Sequence, residues 1–221
     1  KVKIKIKHVR LDHNNEINDL IGNLVLTNNK ISNLDINSNF NENEKLSLII
    51  KSKNDNSTIT SFYSDRAKPF VKKYKFIKGF EGGNLDFNST KINNISKSKL
   101  IIDNFKVKEV PVLAKLLTLA SLQGIADLLT GEGIRFTDFE MTYSNNGSVM
   151  TINEIYAIGP AISILMDGYI ENEKLISLRG TLVPATTINR SIASIPLIGN
   201  ILVGKKVGEG VFGVSFKIKG P

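Results

Sequence analysis

Apolar and polar residues alternate along most of the first half of the chain. In residues 1–12, Val2, Ile4 and Ile6 fall on one side of an extended backbone and the intervening lysines on the other. Alternation with a period of two is typical of a strand that has one buried face. The same pattern returns in residues 17–27, 31–40, 44–53 and 58–63. Asn-rich turns such as Asn28-Asn29-Lys30 separate these segments without a crossover helix, so the pattern predicts successive antiparallel strands.

Leucine and isoleucine residues of these strands share one parity and are expected to line one apolar surface. The predicted lining residues are Leu20, Leu24, Leu26, Leu34, Ile36, Leu46, Leu48 and Ile50. The parity is weaker in the next segment, where Thr58 and Thr60 occupy the equivalent positions. Adjacent strands lie about 4.8 Å apart, so a sheet of about ten strands would extend over about 45 Å and would curl. We therefore predict a mainly β fold built on an extended, curled antiparallel sheet, a β-groove; a sandwich and a barrel are alternatives with the same strand count.

Residues 110–134 break the alternation with an apolar run at helical spacing. Val110 is expected to be extended because it precedes Pro111, and Pro111 suits the first position of a helix. The predicted capping residues on this helix are Leu113, Leu116, Leu117 and Ala120. Lys115 and Asp127 interrupt the run, which argues against a membrane-spanning helix. Three interpretations remain: a core helix, a helix at a membrane interface, and a helix that closes a hydrophobic cavity.

The rest of the chain is predicted to combine further strands with short apolar helices. Asp65 is expected to cap a short helix at residues 66–77. Additional strands are predicted at residues 79–86, 99–107, 134–143, 148–158, 161–169, 175–182 and 210–219. Val183-Pro184 and Ile195-Pro196 repeat the pattern of a helix start, which predicts an apolar hairpin from Pro184 to Val203 with Pro196 and Leu197 as capping residues. We divide the chain into a β-groove segment, residues 1–109, and a C-terminal region, residues 110–221.

Composition narrows the range of partners. The chain has 221 residues, a formal net charge of +8 and no cysteine, so a disulfide framework and thiolate chemistry are excluded. The lysines alternate with apolar residues or lie in Asn-rich loops, and no aromatic stacking platform is interleaved with them, so we expect no nucleic-acid partner. Lys1 is not an initiator residue and the strand pattern begins at once. We therefore expect the sequence to be a piece of a longer protein.

The side chains that usually carry chemistry do not assemble into a recognisable motif. His8 and His13 are too few for a metal cluster or a catalytic triad. Asp138 and Glu140 share one strand parity, but no nucleophile or base accompanies them. Residues 199–205 have the spacing of a phosphate loop, yet Lys206 stands where a hydroxyl should bind magnesium. We predict no catalytic residue, no metal site and no cofactor.

Several blocks in the second half resemble the C-terminal region of the AsmA-like family, in particular its YhdP type. The blocks are residues 110–134, 159–161, 178–185, 195–199 and 210–212. Members of this family are anchored in the inner membrane of diderm bacteria and extend a long β-groove across the periplasm. The resemblance implies a non-enzymatic groove segment that carries phospholipid or another acyl lipid between the two membranes, with the membrane reached through parts of the protein outside this sequence.

A second interpretation keeps the envelope location but changes the role. In it the sheet is a stalk, and the apolar helices dock to a partner protein in a structural or assembly module. A lipid groove requires a continuous apolar lining of single parity, because each methylene taken out of water costs about 0.8 kcal/mol unless it is covered. The two hypotheses therefore differ in whether the apolar lining continues from strand to strand.

Overall fold

The computed structural model describes residues 1–54, 56–71, 78–108, 110–119, 131–172, 174–184 and 213–220. These residues form one twelve-stranded sheet in which the strands follow each other in chain order. The strands are β1 Val2–Arg10, β2 Glu16–Thr27, β3 Lys30–Asn39, β4 Lys45–Asn54, β5 Ser57–Ser64, β6 Lys78–Ile92, β7 Ile95–Lys108, β8 Ile134–Asn145, β9 Val149–Ile158, β10 Ile162–Glu171, β11 Leu175–Pro184 and β12 Val214–Gly220. All neighbouring strands pair antiparallel. The predicted mainly β fold, an open and curled antiparallel sheet with a few helices, is confirmed.

Two short helices interrupt the described meander. Helix α1 spans Lys68–Val71 and helix α2 spans Pro111–Leu119. Both follow an odd-numbered strand, so they lie at the end of the sheet where odd-numbered strands finish, which we call the helix end. The connections after β2, β4, β6, β8 and β10 are tight turns at the opposite end, which we call the turn end. Asn28, Asn29 and Asn93 have φ of 51°, 57° and 54° in these turns, a conformation that Asn tolerates better than most residues.

The β6–β7 hairpin is longer than the sequence pattern predicts. The strands were expected at residues 79–86 and 99–107, but pairing continues outward to Ile92 and Ile95, which are direct partners. Ser, Thr and Lys dominate this outer part, so it lacks the aliphatic alternation by which a strand is recognised. The local signal that was available is the Asn93-Asn94 turn between two isoleucines.

Two predicted helix starts need correction. Helix α1 begins at Lys68 rather than residue 66, because the Asp65 carboxylate accepts hydrogen bonds from the Lys45 backbone N–H at 2.7 Å and the Tyr63 hydroxyl at 2.5 Å instead of capping a helix. At Val183-Pro184 the chain does not start a helix. Strand β11 continues through Pro184, its last residue, which pairs with Ile162.

A β-bulge in β2 explains why residues of both parities are buried there. Register shifts between Asn18 and Ile21, and Asp19 has φ of 50°. The extra residue brings Ile17 to the same side as Leu20, and both are buried. A bulge reverses parity locally, which alternation alone could not reveal.

The main hydrophobic core lies on one face of the sheet at the helix end. It joins α1 and α2 to β6–β11, and its buried members are Ala67, Val71, Phe80, Leu85, Ile102, Phe105, Val107, Leu113, Leu117, Ile134, Phe136, Ala157, Ile162 and Leu182. Phe105 stacks between Phe80 and Phe136, with ring centroids at 5.2 and 5.4 Å. Burying an aromatic ring contributes about 1.5–3 kcal/mol, so this stack is a large part of what holds the centre of the sheet together.

A second, smaller cluster lies at the β1–β4 side of the same face. Its buried members are Ile17, Leu20, Phe40 and Leu46. Phe62 and Phe70 pack against both clusters, and their rings meet edge to face at 4.7 Å. The two clusters therefore form one continuous apolar surface. Strands β7 and β8, which come from the two segments predicted by sequence, are direct neighbours in this sheet, and the division at residue 109 stays a prediction.

Candidate functional site

One residue from every strand lines up in a single apolar row across the sheet. The row consists of Ile4, Gly22, Ile36, Leu48, Phe62, Phe87, Leu100, Met141, Ile155, Met166, Gly180 and Phe216, each paired with the next. No member is polar or charged. Twelve strands spaced about 4.8 Å apart give the row a length of about 53 Å. Most of its members are half-buried rather than buried, so their side chains remain accessible.

The predicted lining residues of β2–β4 lie on the face that carries this row, which we call the apolar face. Leu24, Leu34 and Ile50 pair in succession. Each lies two residues from the row member of its own strand, on the side toward the turn end. Ile36 and Leu48 are members of the row itself, and Leu20 and Leu46 lie on its helix-end side, buried in the smaller cluster. Leu26 pairs with Ile31 beyond a second bulge and is 50% exposed. Their assignment as lipid-binding residues stays a prediction.

The predicted capping residues divide between described and undescribed parts of the chain. Leu113 and Leu117 of α2 are buried in the main core, and Leu116 on the same helix is half-buried. The helix begins at Pro111, as its sequence predicts. Ala120, Pro196 and Leu197, together with the predicted hairpin that continues beyond Pro184, lie outside the described residues.

Gly180 lies at a point in the row where the neighbouring strands leave no room for a side chain. A Cβ atom at Gly180 would lie 2.6 Å from Met166 Cγ, 2.7 Å from Phe216 Cζ and 2.4 Å from the Leu165 carbonyl oxygen. The neighbouring row members therefore close over this position from both sides. A side chain at Gly180 would push them apart, so the glycine is required for the continuity of the row between β10 and β12.

Next to the apolar row, on its turn-end side, the character of the face changes along the sheet. In β3 and β4 the adjacent positions are Leu34 and Ile50, and in β11 and β12 they are Leu178 and Ile218. In the central strands the equivalent positions carry hydroxyl groups, on Thr60, Ser89, Ser98 and Tyr143. Ser98 is buried and its hydroxyl donates to Ser89 Oγ at 2.9 Å. The centre of the sheet thus places a polar strip directly beside an apolar one.

The opposite face carries ion pairs. Lys99 Nζ lies 2.7 Å from Glu140 Oε1, and Arg179 Nε lies 2.8 Å from Asp167 Oδ1. Glu140 also accepts a hydrogen bond from the Tyr156 hydroxyl at 3.0 Å. Burial, together with this carboxylate, raises the pKa of Tyr156 to about 12. These charged groups pair with one another, so this face offers a ligand paired charges whereas the apolar face offers aliphatic and aromatic side chains.

Within the described residues no group of His, Cys, Asp and Glu could hold a metal ion. A cavity of about 650 Å³ lies around the β10 bulge near Gly168, Arg179 and Lys217, but the Arg179 guanidinium there is already engaged by Asp167. His8, one of two histidines in the sequence, lies beside Glu16 and Asn18 on an exposed strand. The described helices include none long and apolar enough to cross a membrane.

Comparisons with known proteins do not assign a family. No protein-family model, no curated protein sequence and no solved structure matches this chain.

Proposed function

We propose that this chain is a non-enzymatic hydrophobic-groove segment that carries phospholipid or another acyl lipid along its apolar face. The observation that supports the proposal is the unbroken apolar row, which crosses all twelve strands and remains partly accessible. An ordinary one-sided sheet needs an apolar face, but it buries that face against another layer. Here most of the row is only half-buried, and a surface of that kind on a single chain is a candidate for an apolar ligand.

The energetics of such a surface suit transport. Each methylene removed from water is worth about 0.8 kcal/mol, so an acyl chain with about 15 methylenes requires about 12 kcal/mol of apolar contact to leave a bilayer. A lining of Ile, Leu, Phe and Met supplies that contact over a length of about 53 Å. Movement along the row exchanges one apolar contact for another, so it costs little once the chain is bound.

The polar strip beside the row suits the headgroup of a phospholipid. With the acyl chain on the row, the headgroup faces the turn end and the hydroxyl groups of Thr60, Ser89 and Tyr143. Hydroxyls donate hydrogen bonds to phosphate and ester oxygens without a fixed charge that would trap the lipid. A headgroup can therefore pass the centre of the sheet while its acyl chains stay covered.

The wider setting rests on the sequence resemblance to the C-terminal region of AsmA-like, YhdP-type proteins. In that setting the groove carries phospholipid between the inner and outer membranes across the periplasm, as part of a protein anchored in the inner membrane. The alternative, an envelope assembly module whose apolar helices dock to a partner protein, requires helix surface that is available to the partner. In the described part of α2, Leu113 and Leu117 instead pack into this chain's own core.

Native mass spectrometry of the purified chain tests the proposal. We expect co-purified phospholipid at a defined stoichiometry, released by detergent. Protein that is folded and free of lipid, and that takes up none from vesicles, would contradict the groove function. A lipid-free chain that instead retains one envelope protein would support the assembly module.

A matched pair of positions tells whether lipid lies on the row. Leu48 belongs to the row and the next residue, Ile49, points to the opposite face between Asp35 and Ser61. A photoreactive phenylalanine analogue at Leu48 should crosslink to lipid, and the same analogue at Ile49 should not. Equal crosslinking from both positions would mean that lipid binds without regard to the face, and would refute the assignment of the row.

A further inference from the structure

Two of three neighbouring turns at the turn end expose large aliphatic side chains to solvent. Leu26 and Ile31 flank the β2–β3 turn and are 50% and 40% exposed, and Ile92 and Ile95 flank the β6–β7 turn at 56% and 53%. Hairpin tips in soluble domains are usually polar. Here both turns are formed by asparagines. Ile92 and Ile95 adjoin theirs directly, and Leu26 and Ile31 lie one residue further out.

Hydrogen bonds join these two turns, through the β4–β5 turn between them, into one edge, which we call the rim: residues 26–31, 52–54, 56–58 and 91–97. The Ile31 carbonyl accepts a hydrogen bond from the Ser52 hydroxyl at 3.0 Å, which links the first turn to the second. The Asn93 backbone N–H donates to the Asn56 carbonyl at 2.7 Å, which links the second turn to the third. The exposed aliphatic side chains therefore lie along a single edge about 24 Å long, from β2 to β7.

Lysines surround the aliphatic residues of the rim. Lys30, Lys53, Lys91 and Lys97 lie in or next to the three turns and are exposed. None of the four forms an ion pair with an acidic residue of the described part of the chain. The β8–β9 turn carries no charge, and the β10–β11 turn carries Glu171 and Lys174, which are of opposite sign. On the rim, exposed Ile and Leu thus lie beside lysines that form no ion pair within the described part of the chain.

We infer that the rim binds the surface of a bilayer that contains anionic lipid. Aliphatic side chains beside a tight turn can enter the boundary between headgroups and acyl chains, because the hairpin already satisfies most of its own backbone hydrogen bonds. Lysines at the same depth pair with lipid phosphates, which strengthens binding to an anionic surface. This charge complementarity identifies the partner as an anionic lipid surface. The inference does not depend on lipid transport along the apolar row.

Flotation of the purified chain with vesicles is the test. Binding is expected to vesicles of phosphatidylcholine mixed with phosphatidylglycerol, and to be much weaker with phosphatidylcholine alone. The double variant Ile92→Ser with Ile95→Ser should lower the affinity for mixed vesicles by about tenfold or more, because two apolar side chains are lost from the contact. Lys91→Gln with Lys97→Gln should remove most of the preference for phosphatidylglycerol.

The chain offers a matched control for this test. Ile21 is 55% exposed, like Ile92, but it lies in the middle of β2, away from the rim. Ile21→Ser should therefore leave vesicle binding unchanged. An equal loss in this control, or wild-type protein that does not float, would overturn the inference. So would self-association that the Ile92→Ser, Ile95→Ser variant abolishes in the absence of vesicle binding, since the rim would then join two copies of the chain.

The test separates this inference from the proposed function. Lipid carried on the apolar row is measured by native mass spectrometry without vesicles, and the rim variants should retain it. Rim variants that no longer float but still carry lipid would support membrane binding by the rim. A chain that floats but never carries lipid would also support membrane binding by the rim, and it would refute lipid carriage on the apolar row.

Discussion

Ile162 and Leu26 are aliphatic residues on the same apolar face, yet Ile162 is 0% exposed and Leu26 is 50% exposed. The difference comes from what lies over them. Around Ile162, the side chains of α1, α2 and the ends of β6–β11 form the main core. At the β1–β3 edge, Val2 and Leu26 belong to neither cluster and remain half exposed. One alternating pattern thus builds a covered region and an open region, and only the covered one is a conventional core.

The largest difference is expected between a charge introduced in the covered region and a charge introduced in the open region. Leu117→Asp puts a carboxylate into the fully buried part of the main core, and we expect it to destabilise the fold by about 4 kcal/mol or more. Leu26→Asp in the open region should change the free energy of unfolding by no more than about 0.5 kcal/mol. Urea denaturation followed by circular dichroism measures both values.

The same Leu117 variant also distinguishes a core helix from a helix that closes a groove. A core helix predicts loss of the whole fold in one cooperative transition. A closing helix predicts that the sheet survives while bound lipid is lost, which lipid quantification beside the melt would detect. Equal destabilisation by Leu117→Asp and Leu26→Asp would contradict the division into covered and open regions.

A smaller effect is expected where the apolar row passes through Gly180. Gly180→Ala forces a Cβ atom against the Leu165 carbonyl oxygen and the side chains of Met166 and Phe216, and overpacking of this kind costs about 1–3 kcal/mol. The control is Gly220→Ala, at the end of β12, where a Cβ atom would meet nothing within 4 Å. Thermal melts of the two variants should differ clearly, and similar melts would mean that the row is not tightly packed at β11.

The smallest effects concern pH, and two carboxylates, Asp103 and Glu44, should respond with opposite sign. Behind the covered region, burial and the nearby Asp138 and Asp86 carboxylates raise the pKa of Asp103. The folded protein then binds this proton more tightly than the unfolded chain, so stability falls as pH rises through the raised pKa. Asp103→Asn should therefore increase the melting temperature at neutral pH, and the gain should vanish once the pH is below the ordinary carboxyl value.

Beside the smaller cluster, a hydrogen bond from the Arg66 guanidinium lowers the pKa of Glu44, and burial opposes that shift. The stabilisation from this pair is present above the ordinary carboxyl pKa and is lost as pH falls through the lowered value. Glu44→Gln should cost no more than about 1 kcal/mol at neutral pH, because both partners are partly solvated. Melting temperatures of the two variants across the acidic range check the signs, and parallel pH profiles would contradict the assignment.

The sequence alone determined which side chains share a face within a strand. Period-two alternation requires it, so Leu34 and Ile36, or Leu46, Leu48 and Ile50, were placed together correctly, and the asparagine turns set the ends of most strands. The pattern failed where a strand is built from polar residues, as in the outer β6–β7 hairpin, and where Pro184 closes a strand in the place of a helix start. The alternating pattern also gave no sign of the rim, because the pair Leu26 and Ile31 is far in sequence from the pair Ile92 and Ile95.

Only the tertiary structure decided how the strands align with one another. The apolar row depends on register, and register is set by bulges such as the one at Asp19 and by partners that can be remote in the chain, as Gly180 and Phe216 are. Exposure was decided in the same way. Ile162 and Leu26 carry the same local signal, and the elements that join Ile162 in the main core come from elsewhere in the sequence. Local patterns fix the direction of a side chain, whereas its neighbours are fixed by contacts that no local pattern contains.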